Sequence, residues 1–228
     1  MNAEDFINGQ VILIDKPLKW TSFQVVNKLR WAIRRKYKLK KIKVGHAGTL
    51  DPLATGLLII CTGKLTKTID KLQAETKEYT GTITLGATTP SYDLETEINQ
   101  TFPTSDISDS DIQKTTKTFL GEIEQTPPLY SAIKKDGVRL YELARKGETA
   151  VIKSRKINIY EFEITEIDMP NISFRLVCSK GTYIRSIAND FGKALNSGAY
   201  LSSLRRTKSG GYKVENAFDP LEYVKKIN

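Results

Sequence analysis

The stretch GHAGTLDPLATGLLIIC, residues 45–61, joins a loop of small residues to an apolar run that predicts a buried strand. Asp51 is the only charged residue between Gly45 and Leu58, and His46 is the only histidine of the chain. Pro52 favours an extended backbone at Asp51, and the nearby glycines allow tight turns and close approach of another molecule. The loop alone leaves Asp51 as a nucleophile, a general base or a turn residue. Because Asp and Gly are common in turns, the loop by itself favours the turn.

The segments on either side predict an α+β fold with a mixed, largely antiparallel sheet. QVILIDKP, residues 10–17, is typical of a strand that ends at a proline, and Thr21 and Ser22 can cap a helix that continues to about Arg35. Strands and helices follow one another without a regular βαβ rhythm, which excludes a simple parallel sheet. Further strands are predicted over 79–85, 150–168 and 172–179, and further helices over 64–72, 108–119, 183–195 and from Asp219 onward.

The chain of 228 residues is long enough for one large domain or for two small lobes that share a core. We expect one domain over 1–228, in which the stretch from Gly121 to Gly147 can form a lobe or flap of its own. Residues 86–105 are polar and rich in turn formers, so they are predicted as loop.

The net charge of +9 indicates an anionic partner, with nucleic acid as the leading candidate. The charge is also segregated, which favours a basic binding face over a mixed, solvated surface. Nine Lys or Arg and no acidic residue lie between Lys28 and Lys43, whereas the stretch from Asp93 to Glu124 is acidic. Two further basic clusters consist of Lys134, Lys135, Arg139, Arg145 and Lys146, and of Arg205, Arg206, Lys208 and Lys213.

Several kinds of chemistry do not fit the sequence. One histidine and two distant cysteines give no metal-ligand spacing and no disulfide framework, and Cys61 and Cys178 are predicted to be small buried apolar residues. Neither a nucleophile elbow nor a phosphate loop nor a dinucleotide fingerprint is present. The N-terminus lacks the apolar core of a signal peptide, and the longest apolar run is too short to span a membrane. We therefore expect a cytoplasmic protein that uses carboxylate, hydroxyl and guanidinium groups without a tightly held cofactor or metal.

Two more stretches carry candidate functional side chains. In KGTYIRSIANDFG, residues 180–192, Tyr183 and Arg185 stand two positions apart, so both can point to one face if this part is a strand end. Arg185 can bind a carboxylate through two hydrogen bonds, and it can equally be a surface arginine. In KEYTGTITLG, residues 77–86, Tyr79 begins a strand. A tyrosine beside a basic cleft can stack on an extruded base, although on its own a core tyrosine is favoured.

Together these stretches resemble the bacterial TruB family of tRNA pseudouridine synthases. The resemblance rests on several long motifs in one order along nearly the whole chain. They are IDKPLKWTS, GHAGTLDPLATGLL, KEYTGTITLG, QTPPLYSAIKKDGVRLYELARKG, KGTYIRSIANDFG and SLRRTKSG. The block from PPLYSA to YELAR is the part that points to TruB rather than to other pseudouridine synthases.

The resemblance implies a reaction, a fold and a set of roles. The reaction is isomerisation of uridine 55 in the T-loop of tRNA, with the T-arm as binding partner and no cofactor or metal. It implies that Asp51 is the essential catalytic residue, paired with Arg185, and that Tyr79 stacks on the target base and takes part in proton transfer. His46 fills the space of the flipped nucleotide, while Tyr183, Lys16 and Leu204 match family positions at the cleft. The implied fold has an RNA-gripping insertion at about 121–150, and we expect a monomer.

Two departures from the family pattern are present. Lys19 stands where the family has glycine in the first motif, which adds a positive charge. We expect no separate C-terminal RNA-binding domain, and the basic run 28–43 is a candidate to compensate for it. Alternatives remain a catalytically silent tRNA-binding protein or folding chaperone, and a synthase that acts on another RNA. The sequence leaves open whether Asp51 attacks C1′, attacks the base or abstracts a sugar proton.

Overall fold

A computed structural model describes residues 2–135 and 137–227, so Met1, Asp136 and Asn228 of the predicted 1–228 domain lie outside the described residues. The helices of the described residues are α1 (Ala3–Asn8), α2 (Ser22–Lys36), α3 (Ile69–Ala74), α4 (Asp109–Thr118), α5 (Leu140–Arg145), α6 (Ile184–Ala194) and α7 (Pro220–Ile227). The strands are β1 (Val11–Lys16), β2 (Val44–His46), β3 (Ala54–Thr62), β4 (Lys77–Leu85), β5 (Ala87–Thr88), β6 (Gln100–Thr101), β7 (Gly121–Gln125), β8 (Lys134–Lys135), β9 (Val138–Arg139), β10 (Arg155–Asp168), β11 (Asn171–Cys178), β12 (Ala199–Ser209) and β13 (Tyr212–Lys213).

The chain divides into two compact units. The first consists of Met1–Tyr79 and Leu204–Asn228, and the second of Thr80–Ser203. The chain passes from one unit to the other within β4 and again within β12. The single domain expected from the sequence stays a prediction.

The first unit contains the mixed part of the sheet. β3 pairs with β1 in antiparallel register from Val11↔Cys61 to Lys16↔Gly56, and it also pairs antiparallel with β2. On its other side, β3 runs parallel to β12, with Arg206 opposite Gly56. This parallel pair, together with the antiparallel pairs of the described residues, confirms the predicted mixed, mainly antiparallel α+β fold.

Helix α2 covers this sheet because its apolar residues recur at helical spacing. Val25, Leu29 and Ile33 are buried in one cluster that also includes residues of β1, β3 and α7. The helix begins where the sequence predicts, because Thr21 forms a capping box with Gln24. Its N-terminal end therefore has a fixed position, immediately before the buried Ser22.

The basic run continues beyond α2 as a connecting arm, residues 37–43. Lys38 has a left-handed backbone with φ of 51°, and the Leu39 N–H donates to the Arg34 carbonyl at 3.0 Å. Many helices end in this way, with a left-handed residue and a backbone hydrogen bond back to the last turn. The arm leads from there to β2, and Arg30 Nη2 donates to the Val44 carbonyl at 3.1 Å. The predicted division of the run into helix and arm is therefore confirmed.

The second unit is built on the long strand β10, which pairs antiparallel with β11 on one side and with β7 on the other. Four phenylalanines, Phe119, Phe162, Phe174 and Phe191, form a chain of ring contacts at 5.7–6.0 Å between centroids. Helix α4 begins at the capping box of Ser108 with Asp111, and α6 follows the GTY turn, both as predicted. The predicted insertion contains β7, the β8–β9 hairpin and α5, and its RNA-gripping role stays a prediction.

Some elements differ from the sequence-based expectation. The sequence does not predict the strand β12, because adjacent basic residues at 205 and 206 are not typical of an interior strand. The helix predicted over 64–72 begins instead as a 3₁₀ segment, Gly63–Thr68, before α3. The strand predicted from 150 begins at Arg155, and the predicted loop 86–105 contains the short pair β5–β6. Cys61 and Cys178 are buried, as predicted.

Candidate active site

Asp51 lies in the turn between β2 and β3, in the first unit. Its carbonyl accepts a hydrogen bond from the Ala54 N–H at 3.1 Å, which closes the turn before β3 begins. Gly48, within the same loop, has a φ of 104° that strongly favours glycine. Asp51 is half-buried, while Leu50 before it is buried and Pro52 after it is exposed. The loop therefore anchors Asp51 on one side and leaves the other side near solvent.

Ser22, the first residue of α2, holds the loop immediately before Asp51. Its buried hydroxyl donates to the Leu50 carbonyl at 3.1 Å and accepts from the Leu50 N–H at 2.9 Å. A single side chain thus satisfies both backbone polar groups of a buried loop residue. The capped start of α2 therefore holds the residue before Asp51 in a fixed position.

Lys16, the last residue of β1, holds the loop immediately after Asp51. The side chain is 0% exposed, and Nζ donates to the carbonyls of Trp20 at 2.6 Å, Pro17 at 3.0 Å and Pro52 at 3.5 Å. Burial lowers the pKa of Lys16 to about 8, although the attraction to Asp51 acts to raise this pKa. Lys16 thus remains a cation at pH 7 and acts electrostatically on the Asp51 carboxylate.

Arg206 of β12 is the third residue that holds the loop. It is 1% exposed, and its guanidinium donates to the Leu57 carbonyl at 2.7 Å and to the Gly48 carbonyl at 3.1 Å. At Gly56, opposite Arg206, an added Cβ would lie 2.3 Å from the Arg206 carbonyl oxygen. The glycine thus permits the close approach of β3 and β12 that brings Arg206 under the loop.

This position of Arg206 corrects one prediction from the charge pattern. The segregated charge predicts that the basic cluster at residues 205–213 contributes to a binding face. Instead Arg206 is buried, Arg205 pairs with Asp15 through hydrogen bonds of 3.0 and 2.6 Å, and Lys208 pairs with Glu78 at 3.0 Å. Two of the four charges are therefore paired with carboxylates within the first unit, and a third is buried.

His46 is half-buried on β2, and its pKa is lowered by burial and by the nearby Arg206 charge. The imidazole is consequently neutral near pH 7. Within the described residues its Nδ1 is buried and has no hydrogen-bond partner. A neutral ring with an unused nitrogen can contact a nucleotide without adding charge.

Tyr79 and Leu204 also belong to the first unit. Tyr79 is 8% exposed at the third position of β4, next to Glu78, whose carboxylate accepts from Thr207 Oγ1 at 2.7 Å. Leu204 lies opposite Ala54 in the β3–β12 pairing, and its carbonyl accepts from Thr55 Oγ1 at 3.4 Å. Leu204 is thus beside the strand that follows the Asp51 loop.

Arg185 and Tyr183 lie at the start of α6 in the second unit. Arg185 is 4% exposed and donates to the carbonyls of Tyr130 at 2.8 Å and Ser91 at 3.0 Å, while its Nε lies 3.6 Å from Asp93 Oδ2. The Tyr183 backbone exchanges two hydrogen bonds with the Gln125 side chain, and its ring lies under the Arg155 guanidinium at 4.6 Å. The alternative of a surface arginine is wrong. The pairing of Arg185 with Asp51 stays a prediction.

The first unit therefore brings His46, Lys16 and Leu204 to the Asp51 loop or to the strand beside it. Sequence reasoning missed Ser22 and Arg206 as residues that hold the loop. For Ser22 the only signal was its place in a capping sequence, and for Arg206 there was none, because its partners are 149 and 158 residues away.

No cluster of three or more His, Cys, Asp or Glu that could hold a metal ion is present in residues 2–135 and 137–227. Over the same part of the chain, no helix is long and apolar enough to cross a bilayer.

The fold is similar to chains in two solved assemblies. A Cbf5-Nop10-Gar1 complex contains a chain that matches 99% of this one with a TM-score of 0.73 and 32% identity. An H/ACA RNP bound to a substrate RNA containing 2′-deoxyuridine gives a TM-score of 0.70 at 30% identity. The present chain spans 56% and 55% of those two chains.

Sequence relatives match over almost their full length. The tRNA pseudouridine synthase B of Flavobacterium johnsoniae is 67% identical over 220 residues, which cover 96% of each chain. The protein of the same name from Bacteroides fragilis is 54% identical over 224 residues, covering 98% of this chain and 96% of the relative. The model of the TruB family pseudouridylate synthase N-terminal domain matches residues 34–184. The chain belongs to the TruB family of pseudouridylate synthases.

Proposed function

We propose that the chain converts uridine 55 in the T-loop of tRNA to pseudouridine and that Asp51 is the essential catalytic residue. The relatives named tRNA pseudouridine synthase B support the reaction and the substrate. The observation that carries the role of Asp51 is its loop, which buried Lys16, Ser22 and Arg206 hold through its backbone. Such support keeps one carboxylate in a fixed position, as catalysis of a single bond rearrangement requires.

The reaction breaks the C1′–N1 bond of uridine, rotates the uracil and forms a C1′–C5 bond. N1 ends with a hydrogen, and the hydrogen of C5 leaves as a proton, so the nucleotide keeps its composition. A carboxylate can serve as nucleophile towards C1′ or the base, or as the base that removes a sugar proton. All three routes use Asp51 as an anion, and Asp51 attracts the positive charge of Lys16.

The remaining predicted residues complete the proposed site. The target base lies inside a folded loop, so it must leave its stack at a cost of a few kcal/mol. Stacking on Tyr79 returns about 1–3 kcal/mol of that cost. His46, which is neutral, fills the space of the flipped nucleotide, and Arg185 pairs with Asp51. Tyr183 and Leu204 line the cleft around the base, and the buried Lys16 acts on the site through the Asp51 loop.

The proposal extends to the way the enzyme binds RNA. The insertion at about 121–150 grips the T-arm, and the exposed cations of the β8–β9 hairpin, Lys134, Lys135 and Arg139, support this role. We also propose that the enzyme acts as a cytoplasmic monomer in which residues 1–228 form one catalytic domain.

The test is incubation of the protein with an unmodified T-arm stem-loop that carries tritium at C5 of its uridines. Product formation releases tritium from the loop uridine, and replacement of that uridine by cytidine removes the signal. Asp51→Asn keeps the size of the side chain and removes the carboxylate. We expect it to lower the rate by at least about 100-fold, with RNA affinity nearly unchanged.

Each alternative has its own outcome in this assay. Tight binding without tritium release by the wild-type protein would favour the silent binding protein or chaperone. Release from an unrelated stem-loop at an equal rate would favour another RNA target. Wild-type rates in Asp51→Asn would refute the catalytic role of Asp51.

A further inference from the structure

A basic cavity of about 450 Å³ lies in the first unit, between α2, the arm and the start of β2. Its volume is in the usual range for ligand sites, about 300–1,000 Å³. Five cations contribute to it, namely Arg30, Arg34, Lys40, Lys41 and Lys43. At one end the cavity reaches Gly45, the first residue of the loop stretch that carries Asp51.

Two of these cations are fixed in place by the fold. Arg30 donates through Nη1 to Asn27 Oδ1 at 2.9 Å and through Nη2 to the Val44 carbonyl at 3.1 Å. Arg34 donates through Nε to the Leu39 carbonyl at 3.4 Å. A guanidinium has five N–H donors, so each keeps several for a ligand. The left-handed turn at Lys38 returns the arm towards β2, which adds three lysines to the same cavity.

The charge of the cavity is not compensated from within. None of the five cations forms a salt bridge in the part of the chain that the structure describes, in contrast to Arg205 and Lys208. No acidic side chain is among the described residues that line the cavity. Five uncompensated cations around one space attract more anionic charge than a single small anion carries.

We propose that this cavity binds consecutive phosphates of the tRNA substrate's backbone and so holds the RNA beside the catalytic loop. The proposal rests on the proposed tRNA substrate and adds a second, sequence-independent site of attachment to it. Guanidinium groups match phosphate oxygens with paired hydrogen bonds, and the flexible lysines add point charges. Contacts of this kind set the position of the RNA, while the choice of uridine is left to the catalytic site.

The test compares two variants that remove the same charge. The cavity variant combines Lys40→Gln, Lys41→Gln and Lys43→Gln, all exposed side chains of the arm. The control variant combines Lys114→Gln, Lys117→Gln and Lys225→Gln, which are also exposed and lie outside the cavity. Binding of unmodified full-length tRNA is measured by fluorescence anisotropy between low and high salt, together with the melting temperature of each protein.

We expect the cavity variant to bind about 10-fold more weakly at low salt, with the salt slope reduced by about one for each phosphate that the variant no longer neutralises. In tritium release, the weaker binding should appear as a higher KM rather than a lower kcat. The control variant should change affinity by less than about twofold, because none of its three lysines lines the cavity. Equal weakening in the two variants, or none in the cavity variant, would overturn the proposal.

The assay separates this proposal from the proposed function. If the wild-type protein releases no tritium but the cavity variant still binds tRNA more weakly and with a smaller salt slope, only the reaction is refuted. If tritium release proceeds and both variants bind as the wild type does, only the cavity site is refuted.

Discussion

At the residue scale, Lys16 is a buried charge that holds the Asp51 loop in position. Its ammonium group lies among backbone carbonyls and beside Asp51, and burial lowers its pKa from 10.5 to about 8. The folded protein thus gives up this proton at a lower pH than the unfolded chain does. Between about pH 8 and 10.5 the unfolded state binds more protons, so the contribution of Lys16 to stability rises with pH.

The first prediction follows from this rise of stability with pH. The melting temperature of the wild type minus that of Lys16→Met should increase as the pH is raised from about 7 to about 10. Thermal unfolding followed by circular dichroism at several pH values measures it, with Lys225→Met as an exposed control whose difference stays flat. A difference for Lys16→Met that is constant over this range would contradict the lowered pKa.

At the scale of elements, the start of α2 has two adjacent polar residues with separate tasks. Thr21 caps the helix, whereas Ser22 binds both polar groups of Leu50 in the loop. Ser22→Ala leaves those groups without a partner, which costs about 1–3 kcal/mol. Thr21→Ala removes only the cap and costs about 1 kcal/mol.

The second prediction compares these two variants. Both should melt at a lower temperature, by roughly 2–4 °C for each kcal/mol in a chain of this size. Only Ser22→Ala should also lower kcat in the tritium assay, because only it frees the loop that carries Asp51. If the two variants reduce kcat to the same extent, Ser22 does not position the loop.

The third prediction concerns the contact of β3 with β12. Gly56 has a φ of 101°, and a Cβ there would meet the backbone of Arg206 at 2.3 Å. Gly56→Ala combines backbone strain with overlap between strands, so we expect unfolding free energy to fall by about 3 kcal/mol or more. Gly211→Ala, which has nothing within 4 Å of its Cβ position, should change stability little. Chemical denaturation measures both, and equal stability of the two variants would refute the strain.

The elements that the sequence predicted are those with local signals. The capping residues Thr21 and Ser108 mark the starts of α2 and α4, and Pro17 marks the end of β1, all through interactions within a few residues. The apolar run of β3 is also apparent without knowledge of its partners. The strand β12 was missed because its buried Arg206 is stabilised only by carbonyls distant in sequence.

For the candidate site, the sequence indicated residue types but not their supports. Asp51 stood out as a lone carboxylate in a loop of small residues, and motif resemblance added the remaining site residues. Hydrogen bonds from Ser22 and Arg206 to that loop depend on the folded backbone and leave no pattern in the sequence. Residues that hold the backbone of another residue are therefore the hardest part of a site to predict from sequence.

At the scale of the whole molecule, the net charge of +9 is a sum of unlike regions. Two of the four cations in the cluster at 205–213 pair with Asp15 and Glu78, whereas the five cations that line the cavity form no ion pair among the described residues. A count of basic residues gives both groups the same weight. Only the folded structure separates charge that stabilises the protein from charge available to RNA.

The attachment of the Asp51 loop to Arg206 has a consequence for protein synthesis. The two bonded carbonyls precede Arg206 by 149 and 158 residues, so the ribosome makes the loop long before its anchor. At about 5–20 residues per second, the interval is roughly 8–30 s. A nascent chain therefore carries its carboxylate for many seconds before the loop can take its final form. On the proposed role of Asp51, we expect a polypeptide that still lacks β12 to be inactive, because its loop has no Arg206 to hold it.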